Sequence, residues 1–147
     1  MNLVIGNEKW IQAAAFYLRY QVFVLEQKIS AKEEFDRLDD DFATLYLVYY
    51  NKSQPVATLR YQKIDEKTFN PDRFCVSECY RNQGIGKQLL LDAEKKAANE
   101  GCTTSVLSAE VTAQAFYEKM GYRVISPTYM EDGILCVKVE KRLNRYE

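Results

Sequence analysis

Arg81-Asn-Gln-Gly84-Ile-Gly86-Lys87 follows a strand-like run and opens the strongest helical pattern of the chain. The run before it, 69–78, carries Phe, Cys and Val with Pro71 near its start. The pattern after it, from Gly84 to Glu100, sets Ile85, Leu89, Leu90, Ala93 and Ala97 on one face, and Gly101 is placed to end the helix. A strand feeding such a turn leaves several backbone N–H groups that no helical carbonyl reaches, and the helix dipole adds positive charge at the same point. A pyrophosphate fits there. Glycines at 84 and 86 let phosphate oxygens approach the backbone, while Arg81 and Lys87 flank the turn with full charges. Two glycines also suit a tight turn that holds no ligand. The P-loop pattern fails, because Arg81 stands at its first glycine and Gln88 at its magnesium-binding hydroxyl. The dinucleotide fingerprint fails too, with Leu89 at its third glycine.

Outward from this turn the chain alternates short strands and helices. Leu3 to Ile5 reads as a strand, and Asn7 is placed to cap a helix whose Ile11, Ala14, Ala15, Leu18, Val22 and Leu25 recur at helical spacing until about Glu26. From Ile29 to Phe42 the chain turns polar, and residues 32–41 hold six acids against two bases, which reads as a loop or a loose helical turn. Strands are expected at 44–50, 56–64 and 69–78, joined at 51–55 and 65–68 as an antiparallel meander. After the long helix come a strand at 103–109, a helix at 112–120 closed by Gly121, and strands at 122–125 and 134–139. This order predicts one α/β domain: a single mixed sheet with helices on both faces.

Composition removes several functional classes. A chain of 147 residues fits one domain. A net charge of −1 provides no basic field for a phosphate backbone, so no nucleic-acid partner is expected. The amino-terminal residues lack a signal-peptide pattern and no apolar run is long enough to cross a bilayer, so the expected location is cytoplasmic, without a membrane partner. The absence of histidine removes Ser-His-Asp and Cys-His catalysis and histidine metal ligation together. Cys75, Cys79, Cys102 and Cys136 sit in apolar, strand-like runs and read as reduced core cysteines, with no metal site.

Arg73-Phe-Cys-Val-Ser-Glu-Cys-Tyr-Arg-Asn-Gln-Gly-Ile-Gly-Lys-Gln-Leu-Leu90 resembles the central motif of the GNAT superfamily of N-acetyltransferases, in which Arg/Gln-x-x-Gly-x-Gly/Ala holds the coenzyme A pyrophosphate. Arg81, Gly84 and Gly86 match it position by position. Ala113-Gln-Ala-Phe-Tyr-Glu-Lys-Met-Gly-Tyr122 resembles the family's later helix, and Arg19 to Gln27 with Glu131-Asp-Gly-Ile134 resembles the small bacterial ElaA-like subgroup. The resemblance implies a GNAT-like domain over residues 1–147, with a mostly antiparallel twisted sheet splayed at the coenzyme site. It implies acetyl-coenzyme A as co-substrate, held by Arg81, Asn82, Gln83, Gly84, Ile85, Gly86 and Lys87. The backbone of Phe74, Cys75 and Val76 would meet the pantetheine arm, and Tyr117 would lie near the thioester sulfur. Two departures stand out: Thr112 where many members have Asn, and Cys136 where ElaA-like proteins often carry His.

The implied activity is acetyl transfer to a primary amine of a small molecule or peptide, by direct attack in a ternary complex. An amine of pKa near 10.4 is mostly protonated at neutral pH, an availability cost of about 4 to 5 kcal/mol, so a base is useful. Glu78 is the first choice, with Glu34, Asp36 and Glu110 behind it. Tyr117 is the acid, and backbone N–H groups near Val76 would polarise the carbonyl. Plainer readings stand beside these: Tyr117 packs next to Phe116 and Met120, Glu78 is a solvated strand end, and 32–41 is a solvated loop. If that acidic stretch borders the acceptor, it favours a cationic substrate. A coenzyme A-binding regulatory module without turnover and a structural protein that binds no nucleotide are the rival classes. Exposed strand edges would suit a homodimer.

Overall fold

Tyr46, Leu47, Val48 and Tyr49 are all buried, so β2 (Leu45–Asn51) is covered on both faces, as a run of β-branched and aromatic residues demands. The structure, a computed structural model, describes residues 1–144. β2 pairs antiparallel with β1 (Asn2–Gly6) and with β3 (Gln54–Tyr61), and a four-stranded sheet runs β1-β2-β3-β6, with β6 at Asp72–Val76. The chain divides into two compact units: Met1–Gln62 with Arg73–Ala93, and Lys63–Asp72 with the chain from Glu94 onward.

In the first unit, α1 (Lys9–Arg19) buries Ile11, Ala15 and Leu18 in one cluster with Tyr46, Val48 and Cys75. Its amino-terminal cap is Glu8, with no side-chain capping bond. Asn7, expected as the cap, instead donates to the carbonyls of Asp41 and Phe42 at 3.1 and 2.7 Å, pinning the strand–helix joint to a distant loop. The helix continues as a π-wound segment over Tyr20–Glu26, and the Gln27 N–H donates to the Val22 carbonyl. This winding corrects the expected register. Val22 is buried, but Leu25, one helical turn later by ordinary spacing, is 54% exposed.

The acidic stretch is a solvated loop in part only. α2 (Ala31–Glu34) and a 3₁₀ turn (Arg37–Asp40) bring Glu34, Asp36 and Asp39 onto three arginines, while Glu33, Asp40 and Asp41 stay exposed. Arg19 donates to Glu34 Oε2 at 2.9 Å and to both Asp39 oxygens at 2.8 Å. Arg60 holds Asp36 through two bonds of 2.7 and 3.0 Å, and Arg73 reaches Asp36 at 3.2 Å. Arg19 and Arg60 are essentially inaccessible, so their charges require these partners.

The expected strand 56–64 stops at Tyr61. β4 (Lys63–Asp65), none of whose side chains is buried, and β5 (Thr68–Phe69) form their own hairpin in the second sheet, and only β6 returns to the first. The meander is therefore interrupted. The second sheet runs β4-β5-β7-β10-β8, where β7 is Thr104–Glu110, β8 Arg123–Val124 and β10 Ile134–Arg142, with β9 (Tyr129–Glu131) also on β10. Its β5–β7 pair is parallel and its other pairs antiparallel, giving the mixed α/β character expected. The long helix α3 (Ile85–Asn99) fully buries Leu89, Leu90, Ala93 and Ala97, and Gly101 ends it at φ 103°. Tyr122, after α4 (Gln114–Lys119), donates to the buried Glu94 carboxylate at 2.6 Å, which also takes Lys141 at 2.7 Å. Cys75, Cys102 and Cys136 are buried free thiols; Cys79, expected in the core, is exposed on a 3₁₀ turn, because β6 has already ended at Val76. Among the described residues no helix is long and apolar enough to cross a membrane.

Candidate active site

β6 presents Cys75 to the core and leaves Phe74 and Val76 half-buried. Burial pushes the Cys75 thiol far up, so it stays neutral, and only its backbone is available for contacts. The Ser77 N–H bonds the Val56 carbonyl at 2.8 Å, so the chain stays anchored to β3 one residue past the end of β6. A 3₁₀ turn (Glu78–Tyr80) follows, and Glu78 and Cys79 are exposed on it.

The next four residues make the turn that the sequence singled out. Asn82 and Gly84 adopt φ of 62° and 80°, and no atom lies within 4 Å of where a Cβ on Gly84 would stand. This left-handed backbone and open approach suit glycine. The first helical bond of α3 runs from the Gln88 N–H to the Gly84 carbonyl, so the amides of Ile85, Gly86 and Lys87 lie ahead of the ladder. Lys87 is exposed.

Arg81 does not present a free charge. Its Nε donates to the Val76 carbonyl at 2.9 Å, and its two terminal nitrogens grip Glu26 at 2.8 and 2.9 Å. The side chain therefore clamps three elements: the end of β6, the turn, and the end of the π-wound segment. Nothing local to the motif signalled Glu26 as its partner, 55 residues away. Further along α3, Asp92 takes a hydrogen bond from the Tyr49 hydroxyl of β2.

The second unit carries the other expected residues. Glu110 ends β7 and Thr112 is exposed on the 3₁₀ turn Val111–Ala113. Tyr117 on α4 is 8% exposed, with Phe116 and Tyr122 rings edge-on at 5.1 and 5.6 Å. Its hydroxyl makes no hydrogen bond among the described residues. Burial, and then the charge of Glu110, hold its phenol well above the ordinary value. Burial alone raises the Glu110 carboxyl, which also has no hydrogen-bond or ion-pair partner there. Cys136 pairs with Glu110 across the ladder and with Tyr129 of β9, so these side chains share a face with Ser108. Ser108 donates to Glu131 at 2.7 Å and bonds the Tyr129 hydroxyl. Sequence reading missed this cluster because the three-residue β9 carries too short an alternation to register.

Glu34 and Asp36 are corrected as free bases. Their carboxylates are engaged by Arg19, Arg60 and Arg73. Among the described residues no group of three or more His, Cys, Asp or Glu could hold a metal.

Residues 12–143 match the acetyltransferase (GNAT) domain family. The uncharacterized N-acetyltransferase YjcF of Bacillus subtilis (strain 168) is 35% identical over 142 residues, 96% of this chain and 99% of that protein. A crystal structure from Lactobacillus plantarum, provisionally assigned as an N-acetyltransferase, superposes with TM-score 0.91 at 38% identity, covering 97% of this chain and 98% of that one. Escherichia coli ElaA superposes with TM-score 0.84 at 22% identity, covering 95% and 98%, a likeness of fold.

Proposed function

Because this chain belongs to the GNAT acetyltransferase family, we propose that residues 1–147 act as one domain that moves an acetyl group from acetyl-coenzyme A to a primary amine of a small molecule or peptide. The observation that carries this reading is the turn 81–84, with its open approach at Gly84 and three amides ahead of the α3 ladder. Those amides and the helix dipole suit a pyrophosphate. Lys87 adds the mobile charge, and Asn82 and Gln83 border the ligand. Arg81, neutralised by Glu26, keeps the turn in shape. Phe74, Cys75 and Val76 offer backbone groups to the pantetheine arm, and Thr112 an exposed hydroxyl. Four free thiols fit the reducing cytosol, the location we assign.

The reaction joins the amine nitrogen to the thioester carbon, passes through a tetrahedral oxyanion, and breaks the C–S bond. The amine proton needs a base and the leaving thiolate an acid. Tyr117 is assigned the acid. For the base, Glu110 is better suited than Glu78, which is exposed on its turn and solvated. Glu110 is half-buried, and its raised pKa makes it a stronger proton acceptor. The two roles are linked. Burial is the larger cause of the raised Tyr117 phenol and the Glu110 charge the second, so a proton taken by Glu110 removes only the second and makes the phenol a somewhat better donor as the thiolate leaves.

Titration with acetyl-coenzyme A, coenzyme A and ATP tests the binding half. Micromolar affinity is expected for the two coenzymes only. Gly84→Val, which forces a β-branched residue to positive φ at a backbone cost of about 1 to 2 kcal/mol, should weaken coenzyme binding about 5- to 30-fold. Unchanged binding in that variant would exclude the turn. For catalysis, Glu110→Gln should lower kcat/KM about 100-fold. Because burial raises Glu110, the wild-type rate should fall as pH drops through a limb lying above the ordinary glutamate value of about 4.3, and the variant should lack that limb. A limb retained in Glu110→Gln assigns the base elsewhere.

A further inference from the structure

The face of the second sheet that carries Glu110 is acidic. Asp132 and Gly133, at φ 50° and 78°, form the tight hairpin turn that an Asp-Gly pair favours, and Glu131 and Ile134 close it as paired residues of β9 and β10. Glu131 is thereby fixed at the end of the hairpin, and its carboxylate reaches β7, where the Ser108 hydroxyl donates to it at 2.7 Å. Cys136 lies between the two strands. Burial first, and then the charge of Glu131, raise its thiol; Glu110 and Asp132 act in the same sense, against a bond to Ser108. Carboxylates therefore stand around this point of the ladder, and none of them forms an ion pair among the described residues. Lys138, opposite Ser108 in register, is exposed and forms none either. Acidic side chains alone would make a solvated patch. Tyr117 makes this face more than that. The residue is 8% exposed and its hydroxyl has no hydrogen-bond partner among the described residues, yet that oxygen is not sealed from solvent. The ring is covered while its polar end meets an opening, close enough to Glu110 for that carboxylate to act on the phenol. An unpaired hydroxyl beside an unpaired carboxyl suits a ligand that brings N–H donors.

We propose that the acceptor is a diamine: the nitrogen to be acetylated stands at Glu110 and Tyr117, and the second, protonated nitrogen is held by Glu131 and Asp132. This rests on the reading of Glu110 as the base. An ammonium is a compact charge with N–H donors only, matched to carboxylates that accept only. A neutral group in its place would leave the charges of Glu131 and Asp132 without complement. Ile134 and Cys136 project from β10 on the same face and give the intervening carbon chain an apolar floor.

The test measures acetylation of 1,4-diaminobutane and of 4-aminobutan-1-ol, in which a hydroxyl replaces the second ammonium. Per reacting nitrogen, kcat/KM of the wild-type protein should favour the diamine about 5- to 30-fold, the range for one or two exposed ion pairs. Glu131→Gln keeps an acceptor for Ser108 and removes the charge. It should cut that preference about 2- to 5-fold through a higher KM for the diamine, and Glu131→Gln with Asp132→Asn should bring the ratio of the two acceptors close to one. Equal kcat/KM for the two acceptors in the wild type, a preference that survives in the double variant, or equal losses on both acceptors would overturn the proposal, as would turnover of neither. Glu110→Gln separates this proposal from the reading beneath it. That variant should slow both acceptors alike; full rates on both would overturn the base assignment and the placement of the reacting nitrogen, whereas absence of a diamine preference alone leaves the base assignment standing.

Discussion

Arg19→Met is expected to destabilise the protein by about 3 to 5 kcal/mol, the cost of leaving buried charges without their partner. Arg19 is fully buried, and its guanidinium makes bonds of 2.8 to 2.9 Å to both Asp39 oxygens, the Glu34 carboxylate and the Glu34 carbonyl. Methionine fills much of the volume but leaves Glu34, whose side chain is 2% exposed, facing fewer cations. Chemical denaturation would measure the loss as a lower midpoint at unchanged slope. A change below about 1 kcal/mol would mean that Arg60 and Arg73 hold the carboxylates without Arg19.

The same cluster sets the acid response. Burial alone would raise Asp39, but hydrogen bonds and charge from Arg19 hold its carboxyl far below the usual range, and Arg60 likewise outweighs burial at Asp36. In the unfolded chain both titrate near 3.9. Their stabilisation is therefore complete above that value and is lost as pH falls toward the depressed folded values. Glu34 opposes this. Burial outweighs Arg73 and Arg19 and holds its carboxyl above its unfolded value, so its contribution belongs to low pH and is lost as pH rises through the folded value. Asp39 carries the larger shift and sets the net direction, so the fold should weaken below about pH 4.

The second large effect concerns chemistry. Tyr117→Phe should lower kcat about 1000-fold, within the range for removing a general acid, with coenzyme affinity little changed. The ring packing against Phe116 and Tyr122 survives the substitution, and the hydroxyl makes no hydrogen bond among the described residues whose loss would disturb the fold. Melting temperature should therefore hold while turnover collapses. A variant with near-normal kcat would reduce Tyr117 to the packing role that its place beside Phe116 allows.

What the residues disclosed and what they hid differ in range. The turn at 81–87 and α3 are encoded locally, by two glycines, an apolar stripe and a terminating Gly101, and these elements stand where the pattern puts them. The mixed α/β character follows from the order of short runs. The π winding after Arg19 was hidden, because the apolar spacing through Leu25 is as good for an α-helix as for the observed segment. Within the acidic stretch, Glu34, Asp36 and Asp39 looked solvated because their partners, Arg19, Arg60 and Arg73, lie on α1, β3 and β6. Charge pairing at such separations leaves no periodic trace. The detour through β4 and β5 was hidden for a similar reason: the parallel pairing of Thr68 and Phe69 with Thr104 and Ser105 is a long-range contact. Among the candidate bases, Glu78 stood out by adjacency to the motif, whereas the half-burial of Glu110 depends on the packed fold.

The central claim is acetyl transfer, and thiol release measures it most directly. The protein would be incubated with acetyl-coenzyme A and a panel of primary amines, with free thiol followed continuously and products weighed by mass spectrometry. Thiol should appear only with an accepted amine, in step with a product one acetyl group heavier. Tight coenzyme binding with thiol release no faster than spontaneous hydrolysis for every amine would contradict the claim and leave a coenzyme-binding protein without turnover.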